Sequence, residues 1–124
     1  MDPGRLFLAL GGVWCAASFL KGAFGAHLLA ARLDARGLEL WELAARYGFY
    51  AGLGLAVIGL AAGRGSTGGL QLAGGLLAAG SVLFSGSLAC MAMGGPRWLG
   101  AATPLGGSSM IAGFLVLAWT VWRH

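Results

Sequence analysis

The sequence contains few charged residues, and this scarcity limits the class of protein it can encode. Asp, Glu, Lys and Arg together make up 10% of the 124 residues, whereas soluble globular domains carry about 25%. A soluble fold is therefore not expected. A disordered chain is excluded as well, because such chains combine low hydrophobicity with many charged residues, Pro and Ser, and this sequence has three prolines.

Basic residues form no cluster in the sequence, and cysteines are few. The eight Lys and Arg residues are scattered singly along the chain, so the basic patch that binds nucleic acid is missing and no nucleic-acid partner is predicted. Cys15 and Cys90 both lie in apolar segments, where cysteine usually behaves as a small buried hydrophobic residue. The sequence therefore predicts no disulfide.

Apolar residues and glycine are abundant, and they point to the lipid bilayer. Hydrophobic residues make up 58% of the chain, and 24 further residues are glycine. Four membrane-spanning helices of about 20 residues each would use about 80 positions. The remainder suffices for ends and short turns. We therefore predict a single transmembrane domain over residues 1–124, an all-α integral membrane bundle of four transmembrane helices.

The positions of the charged residues divide the chain into these spans. Long uncharged runs predict spans at about 6–29, 47–63, 70–93 and 98–122. The N-terminal apolar run is assigned to the first span rather than to a signal peptide, because apolar sequence resumes after Lys21. Basic residues are divided evenly between the two membrane sides, so the positive-inside rule does not fix the orientation.

The stretch at about 32–46 has a different, charge-rich pattern. On a helical wheel, Arg32, Arg36, Glu39, Glu42 and Arg46 fall on one side. This predicts a short interfacial amphipathic helix between the first and second spans, divided in two by Gly37. The alternative is a solvated loop followed by a helical extension of the second span.

Glycine spacing indicates how the helices pack. Gly48 and Gly52 are four residues apart, as are Gly59 and Gly63, and small residues at this spacing let membrane helices approach closely. The pattern predicts a tightly packed bundle and is compatible with self-association. The residues expected to mediate close packing or helix breaks are Gly22, Gly25, Gly48, Gly52, Gly86, Pro104, Gly106 and Gly107.

Two ionisable residues lie in the first span. A lysine at the bilayer centre costs about 2.5–3.5 kcal/mol, so Lys21 either belongs to a polar site or extends its ammonium to the interface. His27 ends the segment Gly22–His27, whose glycines allow close helix approach or local unwinding. A lone histidine at the end of a span is more often a hydrogen-bonded interface residue than a ligand.

The hydroxyl residues give a weak indication of chemistry. Ser85-Gly-Ser87 lacks the first glycine and the strand–turn–helix context of a nucleophile elbow, so its hydroxyls are expected to hydrogen-bond across helices or to their own carbonyls. Thr103-Pro104 predicts a kink or break early in the last span. No enzyme activity, metal or cofactor is predicted. The candidate polar cluster consists of Lys21, His27, Tyr47, Ser85, Ser87 and Thr103.

Four motifs occur in an order that resembles a known family. They are Gly22–His27 (GAFGAH), Tyr47 with Tyr50, Phe84–Leu88 (FSGSL) and 97–107 (RWLGAATPLGG). Together they resemble the domain-of-unknown-function 423 family, small bacterial inner-membrane proteins related to transmembrane protein 256. The resemblance implies a four-helix multi-pass protein of the plasma membrane with no assigned activity. Family members usually carry an apolar residue in place of Lys21 and a histidine in place of Ala51.

Two functional hypotheses follow from these observations. The first is a structural or accessory membrane protein that acts through helix packing with itself, with a membrane-protein partner or with the lipid bilayer. The alternative is a small oligomeric transporter or channel with a polar site near Lys21, His27, Ser85 and Thr103. Both place the chain in the bacterial inner membrane.

Overall fold

The structure, a computed structural model, describes residues 2–65 and 68–123 and consists of helices and short turns. The elements are α1 (Pro3–Phe19), a π-helical segment (Leu20–Gly25), α2 (Ala26–Leu29), α3 (Ala35–Ala62), α4 (Gly68–Ala92) and α5 (Leu99–Arg123). Four helical stretches are long and apolar enough to cross a membrane: Pro3–Gly25, Ala35–Ala62, Gly68–Ala92 and Leu99–Arg123. The predicted all-α architecture with four spans is confirmed.

The charge-rich stretch is not a separate helix, so the predicted interfacial helix over 32–46 is wrong. Asp34 caps the start of α3 by accepting a hydrogen bond from the Gly37 N–H at 2.7 Å, and α3 then continues without interruption to Ala62. Gly37 does not break the helix because it lies in this capped first turn. The alternative, a helical extension of the second span, describes α3 correctly.

The third helix of the chain lies at the centre of the molecule. Helices α1 and α4 both pack against α3, while α5 packs mainly against α4. In the most apolar 18-residue window of each helix, 50% of the residues are buried in α3 but 11% in α1. The core combines residues of α3, α4 and α5: Ala51, Leu55, Ile58, Ala62, Leu70, Ala73, Leu77 and Met110.

Glycines bring the backbones of α1 and α3 into contact. A Cβ atom added at Gly11 would lie 2.6 Å from the carbonyl oxygen of Gly52, and one added at Gly52 would lie 2.7 Å from Sγ of Cys15. Both distances are far below an ordinary van der Waals contact. Gly52 thus lies where the two backbones meet, and Gly48 lies in a similar place, where an added Cβ would be 2.6 Å from Oγ of Ser18.

A second close approach joins α4 and α5. An added Cβ at Gly106 would lie 2.5 Å from the backbone nitrogen of Phe84 and 2.7 Å from the carbonyl oxygen of Gly80. At Gly107 the nearest atoms belong to the Phe84 ring at 3.5 Å, an ordinary contact, and at Gly86 the surrounding space is open. Of these three predicted packing glycines, only Gly106 lies where a side chain could not fit.

Of the kink or break predicted at Thr103-Pro104, the break does not occur. Helix α5 continues through Pro104. This proline lies in the second turn of α5, so its ring removes a single backbone hydrogen bond, the one that Gly100 would otherwise accept. The Thr103 hydroxyl contributes a bond of its own to the carbonyl oxygen of Leu99 at 3.3 Å.

Candidate functional site

The first span departs from α-helical geometry within the Gly22–His27 motif. Residues Leu20–Gly25 form π-helical turns, which widen the helix and are frequent at functional sites. The indole N–H of Trp41 in α3 donates a hydrogen bond to the carbonyl oxygen of Lys21 at 2.9 Å. An added Cβ at Gly25 would lie 2.9 Å from the same indole nitrogen. The local unwinding predicted from the glycines is therefore present, and Gly25 leaves room for the indole.

A polar cleft of about 310 Å³ lies next to this segment, between α1, α3 and α4. Its polar lining comes from Trp14, Ser18, Lys21, Ser81 and Ser85, and its apolar lining includes Val13, Ala17 and Val82. Lysine and hydroxyl side chains are hydrogen-bond donors, so the cleft combines a single cation with donors inside an otherwise apolar bundle.

Two of the hydroxyl groups join helices across the cleft. The Trp14 indole N–H donates to Oγ of Ser81 at 2.6 Å, which connects α1 to α4. The Ser85 hydroxyl donates to the carbonyl oxygen of Ala44 at 3.0 Å, which connects α4 to α3. These bonds stabilise the three helices around the cleft.

Ser18 differs from the other serines of the cleft. It is 6% exposed, and its hydroxyl makes no hydrogen bond to the residues that the structure describes. It lies at the crossing of α1 and α3, where a Cβ added at Gly48 would meet both its Oγ, at 2.6 Å, and the Oγ of Ser85, at 3.4 Å. A hydroxyl at the edge of a cleft can accept or donate a bond to a molecule that enters it.

The other candidate residues lie away from this cleft. His27 is exposed on α2, and Tyr47 packs edge-on against the rings of Tyr50 and Phe84, with ring centroids 5.4 and 5.3 Å away. The hydroxyls of Ser87 and Thr103 lie 2.6 Å apart and join α4 to α5. Of the six predicted cluster residues, Lys21 and Ser85 line the cleft.

Sequence reasoning missed three residues of this region: Ser18, Ser81 and Trp41. One available signal was the spacing of Gly4, Gly11 and Ser18, since small residues seven apart lie on one face of a helix. The hydrogen bond of Trp41 to a π-helical carbonyl has no counterpart in the sequence pattern.

A second cleft, of about 470 Å³, lies on the other side of α1. Ser18 borders it too, and Glu42, Arg46 and Tyr50 of α3 contribute its polar lining. The lining of this second cleft contains both a cation, Arg46, and a carboxylate, Glu42, whereas none of the residues lining the Lys21 cleft is acidic. Of these two clefts beside α1, the Lys21 cleft therefore has the cation without a carboxylate in its lining.

Comparison with known proteins assigns the chain to a family. The family model described as "Protein of unknown function (DUF423)" matches residues 21–107. The chain belongs to the DUF423 family. A UPF0382 membrane protein of Staphylococcus haemolyticus is 45% identical to it over 113 residues, which are 91% of this chain and 92% of the relative. No solved structure matches the chain at a significant level.

Two further relatives agree with this assignment. A UPF0382 membrane protein of Staphylococcus saprophyticus is 42% identical, with 91% of this chain and 93% of the relative covered. One of Staphylococcus aureus strain USA300 is 39% identical, with 91% and 92% covered. The chain is thus a multi-pass membrane protein.

The DUF423 match begins at Lys21, so the family model spans the π-helical segment from Lys21 on, α3 and α4, whereas Ser18 lies before it.

Proposed function

We propose that the chain is a structural or accessory protein of the bacterial inner membrane, which acts by packing against itself or against another membrane protein. The observation that carries this proposal is the use made of its polar side chains. Trp14 with Ser81, Ser85 with the Ala44 carbonyl, and Ser87 with Thr103 each join two helices. Polar groups that hold helices together stabilise a scaffold, and no nucleophile–base pair is formed by them.

The outer face of α1, which we define as Ala9, Gly12 and Ala16, is the surface proposed to pack against the partner. All three residues are exposed, and a Cβ added at Gly12 would have no neighbouring atom within 4 Å. Small residues on an open helix face allow the backbone of a second helix to approach closely, which is the main source of helix association in lipid. Helix α1 is also the least buried of the four spans.

The transporter hypothesis has one observation in its favour, the presence of Lys21 and Ser85 in the same cleft. Its other two residues are separated from that cleft, with His27 exposed on α2 and Thr103 bonded to Ser87. The helix break that could have lined a substrate site does not occur in α5. Transport is therefore the second candidate.

Native mass spectrometry of gently extracted protein tests the accessory role. We expect the wild-type chain to be recovered in a complex with a second copy or another membrane protein. Gly12→Leu should release the monomer, because the new side chain keeps a second helix away from the α1 backbone. Gly75→Leu is the matched control, since Gly75 is equally open but lies on α4.

Two results would contradict the proposal. One is a wild-type chain that is monomeric and carries lipid alone. The other is a complex that dissociates equally with Gly12→Leu and with Gly75→Leu, since the outer face of α1 would then have no special part in association.

A further inference from the structure

Lys21 carries a positive charge that the chain itself does not neutralise. The four acidic residues are Asp2, Asp34, Glu39 and Glu42. None of them lines the Lys21 cleft, and no ion pair joins Lys21 to any acidic residue of the described chain. An ammonium inside a membrane span is costly unless a counter-charge or water reaches it. Any anion that compensates Lys21 would therefore come from outside the described part of the protein.

We propose that the cleft binds an anionic phospholipid, with the lipid phosphate against Lys21 and Ser18 and one acyl chain along Val13, Ala17 and Val82. This inference goes beyond the proposed accessory role and does not depend on it. The surface concerned lies between α1 and α4, whereas the outer face of α1 consists of α1 residues alone, none of which lines the cleft.

The depth of Lys21 in the bilayer fits a phospholipid headgroup. Lys21 lies four residues before the end of the span Pro3–Gly25. Trp41 and Arg46 of α3, and Arg97 beyond α4, lie towards the same end of the bundle. Tryptophan and arginine at this level mark the boundary between headgroups and acyl chains. A lysine side chain extending from this position reaches the phosphates of the nearer leaflet.

The cleft also supplies a second donor for a phosphate oxygen. Ser18 is 6% exposed as a residue, and its hydroxyl, which no described residue engages, lines the cleft. Lysine contributes three N–H donors and serine one O–H donor, while a phosphate offers acceptors only. Charge-assisted bonds of this kind are about twice as strong as neutral ones. Donors and acceptors therefore match.

The entrance to the cleft favours a lipid over an ion dissolved in water. Val13 is 64% exposed and Val82 is 58% exposed, so the lining on the α1 and α4 sides opens outward through apolar side chains. In a spanning bundle these side chains face the acyl chains. Basic pockets between membrane helices bind anionic headgroups elsewhere, and here the pocket has an apolar wall for the attached chain.

Native mass spectrometry of the full chain, equilibrated with equal amounts of phosphatidylglycerol and phosphatidylcholine, tests the inference. We expect the wild type to retain phosphatidylglycerol preferentially, at about one lipid per chain. Lys21→Leu should lower this preference about tenfold or more, as expected for one bond to a charged group. Lys21→Arg should restore it, and Ser18→Ala should lower it by a smaller factor.

Arg97→Leu is the matched control, because it removes the same charge at the same end of the bundle from an exposed position outside the cleft. It should leave the preference unchanged, and circular dichroism should show that all variants keep their helices. Three results would overturn the inference: no preference in the wild type, an equal loss with Arg97→Leu, or displacement of the bound lipid by millimolar inorganic phosphate. The last result would assign the cleft to a free anion.

This experiment can fail independently of the accessory role. A wild-type chain without lipid preference that still forms a complex sensitive to Gly12→Leu would overturn the lipid site alone. A monomer that retains phosphatidylglycerol through Lys21 would overturn the accessory role alone.

Discussion

Replacing Gly106 by alanine is the sharpest test of how α4 and α5 are held together. The added Cβ would lie 2.5 Å from the backbone nitrogen of Phe84, about 0.9 Å short of the 3.4 Å at which ordinary contact begins. The Gly80 carbonyl oxygen blocks it on the same side at 2.7 Å. Both obstacles are backbone atoms of α4, which cannot rotate away as a side chain would, so the two helices must separate.

The neighbouring Gly107→Ala variant provides the reference. Its Cβ would meet the Phe84 ring at 3.5 Å, an ordinary contact. Both substitutions gain about 1 kcal/mol of helix propensity, so this gain cancels in the comparison. Overpacking costs about 1–3 kcal/mol. The free energy of unfolding of Gly106→Ala should therefore lie about 1–3 kcal/mol below that of Gly107→Ala.

Unfolding in mixed micelles, with increasing sodium dodecyl sulfate and circular dichroism as the readout, measures this difference. Equal midpoints and slopes for the two variants would refute the reasoning. A Gly107→Ala variant that is less stable than Gly106→Ala would also refute it, because the close approach of α4 and α5 would then occur at Gly107.

Two further predictions concern polar contacts and cysteine exposure. In a double-mutant cycle with Ser87→Ala and Thr103→Val, the coupling free energy should be about 0.6 kcal/mol and at most about 1.7 kcal/mol, the range for hydrogen bonds between membrane helices. A coupling free energy of zero in micelle unfolding would mean that the 2.6 Å contact between the two hydroxyls contributes nothing to stability. Exposed Cys90 should react with N-ethylmaleimide faster than Cys15, which is partly buried and directs its thiol at the Phe49 carbonyl. Mass spectrometry of the Cys15→Ala and Cys90→Ala variants measures the labelling rate of the cysteine that each retains. Faster labelling of Cys15 would contradict the packing of α1 on α3.

The sequence predicted the four spans because uncharged runs of this length have few alternatives in a chain with so little charge. It also predicted the close contact at Gly52, since small residues four apart are the usual means of helix association in lipid. These features depend on composition and periodicity, which a single sequence contains.

Other features depend on details that periodicity does not contain. The helical-wheel pattern predicted one separate helix over 32–46. In the structure Asp34 caps the start of α3, so Gly37 lies in the first turn of that helix. Gly106 and Gly107 are equivalent in the sequence, but successive residues of a helix point about 100° apart. Gly106 therefore faces the backbone of α4, whereas Gly107 makes only an ordinary contact with the Phe84 ring. The wide turn at Leu20–Gly25 could be anticipated from its glycines, whereas the Trp41 contact could not.

The Lys21 cleft illustrates the same limit for a candidate site. Lys21 and Ser85 were singled out as polar residues in apolar spans, and the fold brings them to one cleft. Ser18 was not singled out, because a lone serine in an apolar helix usually bonds to its own backbone. Its significance comes from the crossing of α1 and α3, where Ser18 is largely covered while its hydroxyl lines the cleft without a partner among the described residues.

Cross-linking in intact membranes tests the central claim, that the outer face of α1 packs against another protein, most directly. A single cysteine is introduced as Gly12→Cys, or as Gly75→Cys for comparison, in a chain that carries Cys15→Ala and Cys90→Ala. With benzophenone-4-maleimide attached to that cysteine, which on illumination inserts into C–H bonds of any neighbouring protein, we predict a cross-linked species of protein-sized higher mass from position 12 and none from position 75. Cross-links at position 75 alone, or at neither position, would contradict the account.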